Sequence, residues 1–198
     1  MIQSSLRAPI TKIITPLCRG LIKIGVTANW VTVIGTTLTV LASFLLIPSG
    51  HLFAACMFIT AFVLFDTIDG TLARMSNSGA NKWGALLDST LDRVSDGALL
   101  GAILWYLHKN SQTLELVVLL NILLGYLISY VKARAESLDL ECNGGLAERT
   151  ERLIITLVAL GFAGLGVKYI LTIGMWILLI ASAITVYQRF TIVYKSSK

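Results

Sequence analysis

Charge is scarce in this sequence: only 14% of its 198 residues are Asp, Glu, Lys or Arg, while 56% are apolar. Soluble domains carry roughly a quarter charged residues, so an ordinary water-soluble globule is excluded. Three cysteines, Cys18, Cys56 and Cys142, are scattered without disulfide or metal-ligand spacing. They read as free thiols and carry no functional signal. The two histidines, His51 and His108, lie far from the acidic clusters and are assigned no metal. The N-terminus lacks the short apolar core and small-residue cleavage site of a cleavable signal peptide.

What is present is a series of long apolar runs, the pattern of a polytopic membrane protein with a single domain over 1–198. Six spans are predicted, at about 30–47, 52–72, 86–107, 113–135, 150–166 and 169–192. At a rise of 1.5 Å per residue, helices of roughly twenty residues fit a hydrocarbon core of ~30 Å. Asn29 is a candidate cap for the first span. Residues 4–24 are too interrupted to cross. Arg7, Lys12, Arg19 and Lys23 alternate with Ile10, Ile13, Ile14, Leu17, Leu21 and Ile22, which predicts an amphipathic helix lying on an anionic membrane face. The expected fold class is therefore all-α: six transmembrane helices preceded by a juxtamembrane amphipathic helix.

The basic residues orient the chain. With six spans both termini share a side, and all sixteen Lys and Arg residues except Lys109 and Lys168 fall there. Positive charge stays in the cytoplasm, which places both termini and the acidic clusters on the cytoplasmic face of the cell membrane. All eleven acids except Glu115 lie on that side too.

Two constellations carry chemistry. The first is Asp66-Thr-Ile-Asp69-Gly70-Thr-Leu-Ala73-Arg74, followed by Gly84-Ala-Leu-Leu-Asp88-Ser-Thr-Leu-Asp92. Asp66 and Asp69 are i,i+3 and Asp88 and Asp92 are i,i+4, so each pair shares a helix face. On neighbouring helices the four carboxylates would converge and repel one another, a cost that hard divalent cations remove. Gly70 and Ala73 allow a ligand close to the backbone, and Arg74 suits a phosphate. The plainer reading is a set of helix-end charges facing water, paired with Arg74 and Arg93. It does not account for two like-charged pairs at helical spacing around two small residues and an arginine. Asp96 extends the Asp88–Asp92 face by one more turn. It reads either as orienting a ligand or Arg93, or as a partner of Arg93 alone.

The second constellation is basic: Ser129-Tyr-Val-Lys132-Ala-Arg134, then Glu148-Arg149-Thr-Glu151-Arg152, then Gln188-Arg189. Arg149 and Arg152 share a face and are suited to grip one anion together. Ordinary positive-inside anchoring, with Glu148 and Glu151 as local partners, is the competing reading; it suffices for Lys195 and Lys198. Gly144-Gly145 reads as a flexible loop that admits a substrate.

The acidic stretch resembles the signature of the CDP-alcohol phosphotransferases, Asp-x2-Asp-Gly-x2-Ala-Arg … Gly-x3-Asp-x3-Asp. It matches every named position, with one residue more than the family pattern between Arg74 and Gly84. Ser129-Tyr-Val-Lys-Ala-Arg-Ala-Glu136, Glu148-Arg-Thr-Glu-Arg-Leu-Ile154 and the Met175-Trp176 … Gln188-Arg189 segment are similar to the actinobacterial branch that uses inositol phosphate as acceptor. The resemblance covers nearly the whole chain. It implies transfer of a phosphatidyl group from CDP-diacylglycerol to inositol phosphate, giving phosphatidylinositol phosphate and CMP. It implies two Mg2+ (or Mn2+) ions per site, with Asp66, Asp69, Asp88 and Asp92 as ligands and Asp92 as general base. It places the CDP-lipid near Asn29, Thr32, Asp66, Asp69, Gly70, Ala73, Arg74 and Asn81. The acceptor phosphate falls to Ser129, Lys132, Arg134, Arg149, Arg152 and Arg189. Membrane lipid and a second copy of the chain are the expected partners, with no nucleic acid.

Two rivals remain at this stage. Glycerol 3-phosphate as acceptor also needs a basic pocket, and would give phosphatidylglycerol phosphate. A divalent-cation transporter would also place carboxylates at membrane depth, but would carry them at several depths rather than on one side.

Overall fold

The computed structural model describes Gly20 and residues 27–75, 82–108 and 112–197, with backbone alone for 64–75 and 112. The amphipathic helix expected over 4–24, Gly20 apart, and Asn81 lie outside the described residues. Regular structure among the described residues is helical: α1 (Ala28–Leu46), α2 (Leu52–Met75), α3 (Lys82–Leu107), α4 (Gln112–Glu136), α5 (Arg149–Gly164) and α6 (Ile170–Ser196). The helices coincide with the six apolar stretches of the sequence. They differ most at charged ends, where α3 starts at Lys82 and α6 runs on to Ser196. Helical hydrogen bonding does not stop where an apolar run does, since Lys and Arg are good helix formers. Three of the helical segments, Ala28–Leu46, Thr113–Glu136 and Ile170–Ser196, are long and apolar enough to cross a membrane.

The first helix starts two residues earlier than the cap assignment to Asn29 requires. The amides of Trp30 and Val31 both donate to the Thr27 carbonyl, so Asn29 lies within the first turn. Thr27 takes the capping position, another residue type suited to it.

The chain divides into two compact units, Met1–Leu41 with Phe58–Ser95, and Ala42–Met57 with Asp96–Lys198. In the first, the rings of Phe58 and Phe62 stack at 6.3 Å along α2. In the second, α6 packs against α4 and α5 around Val118, Ile128, Leu160, Met175 and Leu178, all buried. Buried Asn121 donates from Nδ2 to the Met175 carbonyl at 2.9 Å, tying α4 to α6.

Small residues set the spacing of α5. A Cβ on Gly174 would lie 2.4 Å from that of Ala159, and one on Gly164 would lie 2.2 Å from the Phe53 amide nitrogen. Beside this crossing the Cys56 thiol donates to the Leu157 carbonyl at 3.1 Å. Close backbone approach through small residues is how apolar helices associate where lipid competes for every apolar contact. Gly161 and Gly164 are thus in use within the unit. Gly164→Ala meets backbone that no rotamer change can move, and is expected to destabilise by about 1–3 kcal/mol. Gly35→Ala, whose Cβ would sit 4.0 Å from the nearest atom, is the control and should be neutral or better. Thermal unfolding in detergent of the two variants distinguishes a specific clash from a general effect of losing glycine.

Candidate active site

The acidic residues are laid out on two helices. Asp66, Asp69, Gly70, Ala73 and Arg74 lie within the continuous helical backbone of α2, and their side chains are outside the described set. Asp88 and Asp92 lie one turn apart on α3, with Asp88 exposed and the Asp92 side chain only 15% exposed. The Arg93 guanidinium stands 3.6 Å from Asp92, and the Ser95 hydroxyl donates to the Asp92 carbonyl. Thr32 donates to its own helix, to the Ala28 carbonyl at 3.1 Å. Among the described residues no group of three or more His, Cys, Asp or Glu gathers into a cation site; Asp88 and Asp92 are the two signature carboxylates whose side chains are described. As a donor set the four aspartates fit a hard divalent ion: all are carboxylate oxygens, each pair is at helical spacing, and no soft ligand intervenes.

The basic residues centre on the start of α5. Arg149 Nε lies 3.4 Å from Asp96 Oδ1, and Arg152 Nη2 lies 3.3 Å from Asp96 Oδ2. One carboxylate on α3 thus meets both guanidiniums of the Glu-Arg-Thr-Glu-Arg run, each through a different oxygen. Arg152 is buried, its side chain 10% exposed. Gly125 on α4 leaves it room, since a Cβ there would sit 3.7 Å from Arg152 Nε. Asp96 therefore has partners on a different helix, a role that spacing along α3 does not reveal. Its signal in the sequence was the third aspartate of an i,i+4 series, placed where no lone helix-end charge is needed.

Arg189 is more deeply engaged than its sequence reading implied. Its side chain is 5% exposed, with Nη1 donating to the Ile128 carbonyl at 2.6 Å and Nε to the Gly144 carbonyl at 3.2 Å. Nη2 lies 3.5 Å from Glu148. The segment it holds is pinned at other points too. The Ala147 amide donates to Thr185 Oγ1 at 2.8 Å and the Leu146 amide to Gln188 Oε1 at 2.9 Å. Gly144 and Gly145 have φ of 107° and 142°, and a Cβ on Gly145 would lie 2.5 Å from Thr185. The Gly-Gly pair, read from sequence as a flexible loop, is instead a strap laid against α6. Its glycines serve left-handed backbone and close approach.

The remaining basic candidates sit on α4 with local partners. Ser129 donates to the Gly125 carbonyl at 3.0 Å, Lys132 lies 3.9 Å from Glu136, and Arg134 donates to Ser137 at 3.2 Å. Among the described residues, the structure brings Arg149 and Arg152 together through Asp96, and joins Arg189 to the Ile128 carbonyl of α4 and to the strap.

A helical chain with this acidic signature and this buried basic cluster defines a class. The family model for CDP-alcohol phosphatidyltransferases matches residues 25–187, and the chain belongs to that family. Membership sets aside the cation-transporter reading. The chain is 45% identical to phosphatidylinositol phosphate synthase of Corynebacterium glutamicum, over 96% of this chain and 88% of that protein. It is 42% identical to the enzyme of that name from Mycobacterium tuberculosis, over 96% and 89%. Among solved structures it is similar to the M. tuberculosis phosphatidylinositol phosphate synthase with CDP-DAG bound, with a TM-score of 0.90 and 42% identity over 93% of this chain and 95% of that one. It is also similar to the same enzyme in complex with manganese and citrate, at a TM-score of 0.88 and 41% identity, over 92% and 90%.

Proposed function

We propose that this protein transfers the phosphatidyl group of CDP-diacylglycerol to inositol phosphate at the cytoplasmic face of the cell membrane, releasing CMP. The observation that carries the choice of a phosphorylated acceptor is the Arg149–Arg152 pair, gathered by Asp96. It occurs in a chain 45% identical to a phosphatidylinositol phosphate synthase over nearly its full length.

Asp66, Asp69, Asp88 and Asp92 are assigned to two Mg2+ or Mn2+ ions; a relative of this fold holding manganese supports the assignment. Bound metal supplies charge neutralisation for the diphosphate and for the departing CMP. Asn29, Thr32, Gly70, Ala73, Arg74 and Asn81 are assigned to the CDP-lipid; a relative of this fold with CDP-DAG bound supports this. Asp92 takes the proton of the acceptor hydroxyl as that oxygen attacks the phosphorus bearing the diacylglycerol. A new phosphodiester bond forms, the bridging P–O bond breaks, and CMP leaves with the bonding electrons. Ser129, Lys132, Arg134, Arg149, Arg152 and Arg189 are assigned to the acceptor phosphate. Arg149 and Arg152 offer the paired donors, and Arg189 adds fixed charge while holding the strap.

The full reading includes six membrane-spanning helices in a single domain, a juxtamembrane amphipathic helix over 4–24, cytoplasmic termini and a homodimer. The bias of Lys and Arg toward one side supports the orientation.

The test is CMP release from CDP-diacylglycerol by the purified protein with inositol phosphate, free inositol or glycerol 3-phosphate, with and without Mg2+. Metal-dependent release with inositol phosphate alone is expected. Release with glycerol 3-phosphate alone would keep the aspartate assignment and overturn the acceptor. Release with free inositol would remove the anion role from the arginines.

A further inference from the structure

We infer that Asp96 is a positioning residue of the acceptor-phosphate pocket, its carboxylate holding the guanidiniums of Arg149 and Arg152 side by side at the start of α5. The role rests on the assignment of those two arginines to the acceptor phosphate.

Two guanidiniums one helical turn apart repel each other, and each is long enough to turn elsewhere. Asp96 opposes both tendencies, because its two oxygens take one arginine each, at 3.4 and 3.3 Å. The carboxylate itself has little freedom: its side chain is short and 17% exposed, and it stands on an unbroken stretch of α3. Next to it, Gly97 packs so closely that a Cβ would lie 2.7 Å from the Tyr126 hydroxyl. An arriving phosphate therefore shares the arginines with Asp96 and does not displace it, since displacement would strand a mostly buried carboxylate without partners. Arg152 is also held by its own 3.5 Å contact with the Ala147 carbonyl. Asp96 is thus the fixed member of the arrangement and the arginines are the members it aims.

The experiment uses the full-length protein in lipid–detergent micelles and measures CMP release as inositol phosphate is varied, with inorganic phosphate as a competing anion. Asp96→Asn is expected to raise the acceptor KM about tenfold while kcat stays within about threefold, since the interaction removed is one of binding. Inhibition by inorganic phosphate should weaken in parallel, and the KM for the CDP-lipid should not move. Asp96→Glu, which keeps the charge but shifts it by a methylene, should give a smaller rise in acceptor KM. An unchanged or lowered acceptor KM in Asp96→Asn, with Arg152→Ala raising it, would overturn the positioning role and leave the pocket standing. A fall in kcat at constant KM would also overturn it, and would place Asp96 in the chemistry. If Asp96→Asn does not fold, Asp96→Glu decides: a raised KM supports the role and an unchanged one overturns it. No change of acceptor KM in Arg149→Ala and Arg152→Ala would instead remove the pocket assignment itself.

Discussion

Asp92→Asn is expected to lower kcat by about a thousandfold or more, the range spanned by general-base catalysis, while CDP-diacylglycerol still binds. The substitution keeps the side chain's shape, so α3 and its surroundings are preserved and the Ser95 bond to the Asp92 carbonyl is unaffected. What is lost is the proposed acceptor of the hydroxyl proton, together with one anionic oxygen of the proposed metal site. The Arg93 guanidinium stands 3.6 Å from it, and an amide in place of the carboxylate keeps an oxygen facing that group. Asp69→Asn separates the two losses. It removes a proposed metal ligand without removing the base, so raising the Mg2+ concentration should recover part of its activity but none of that of Asp92→Asn. CMP release across a Mg2+ series, with CDP-lipid binding measured alongside, reads both effects. Residual turnover above about a tenth of the parent in Asp92→Asn would remove it from the role of base.

The helices were legible because lipid imposes a blunt code. A segment crossing the bilayer must be apolar for about twenty residues and must satisfy its backbone internally, so composition marks it directly. All six helices follow the apolar runs, three of them long and apolar enough to cross, and the ends that strayed furthest continue into charged sequence, such as Lys82 and Lys195–Ser196. The acidic signature was legible for a related reason: charge is so rare here that four aspartates at i,i+3 and i,i+4 spacing stand out. The partners of the basic residues were not legible. That Asp96 faces Arg149 and Arg152, 53 and 56 residues on, is decided by how α3 and α5 pack, and local spacing favours Arg93 equally well. Gly144-Gly145 misled because glycine serves flexibility and close packing alike. The Thr185 methyl beside Gly145, the Arg189 bond to the Gly144 carbonyl, and the bonds that Thr185 and Gln188 accept from the Ala147 and Leu146 amides distinguish a strap from a mobile loop.

Arg189→Ala is expected to be the most damaging single change on α6, acting on stability and on acceptor binding at once. The wild-type guanidinium serves the Ile128 carbonyl of α4, the strap and Glu148 from one planar group, using three separate nitrogens. Arginine is the one side chain with a fork wide enough for this, and a lysine has a single nitrogen to offer. Truncation leaves the Ile128 and Gly144 carbonyls short of a donor at a side chain only 5% exposed, a loss of about 2–4 kcal/mol. For a chain of this length that lowers Tm by about 5–15 °C. Glu148 is 47% exposed, and its contact adds little to that figure. The acceptor KM should rise as well, because the released strap leads directly into Arg149 and the guanidinium charge is gone. Gln188→Ala tests whether the strap alone accounts for the KM effect, since it removes only the exposed bond to the Leu146 amide. If Gln188→Ala raises the acceptor KM as much as Arg189→Ala does, Arg189 acts through the strap. If Gln188→Ala leaves KM unchanged while Arg189→Ala raises it tenfold or so, the charge of Arg189 itself serves the phosphate. An Arg189→Ala protein with parental Tm and parental acceptor KM would mean that neither its carbonyl contacts nor its charge matters, and would break the link drawn between the end of α6 and the pocket.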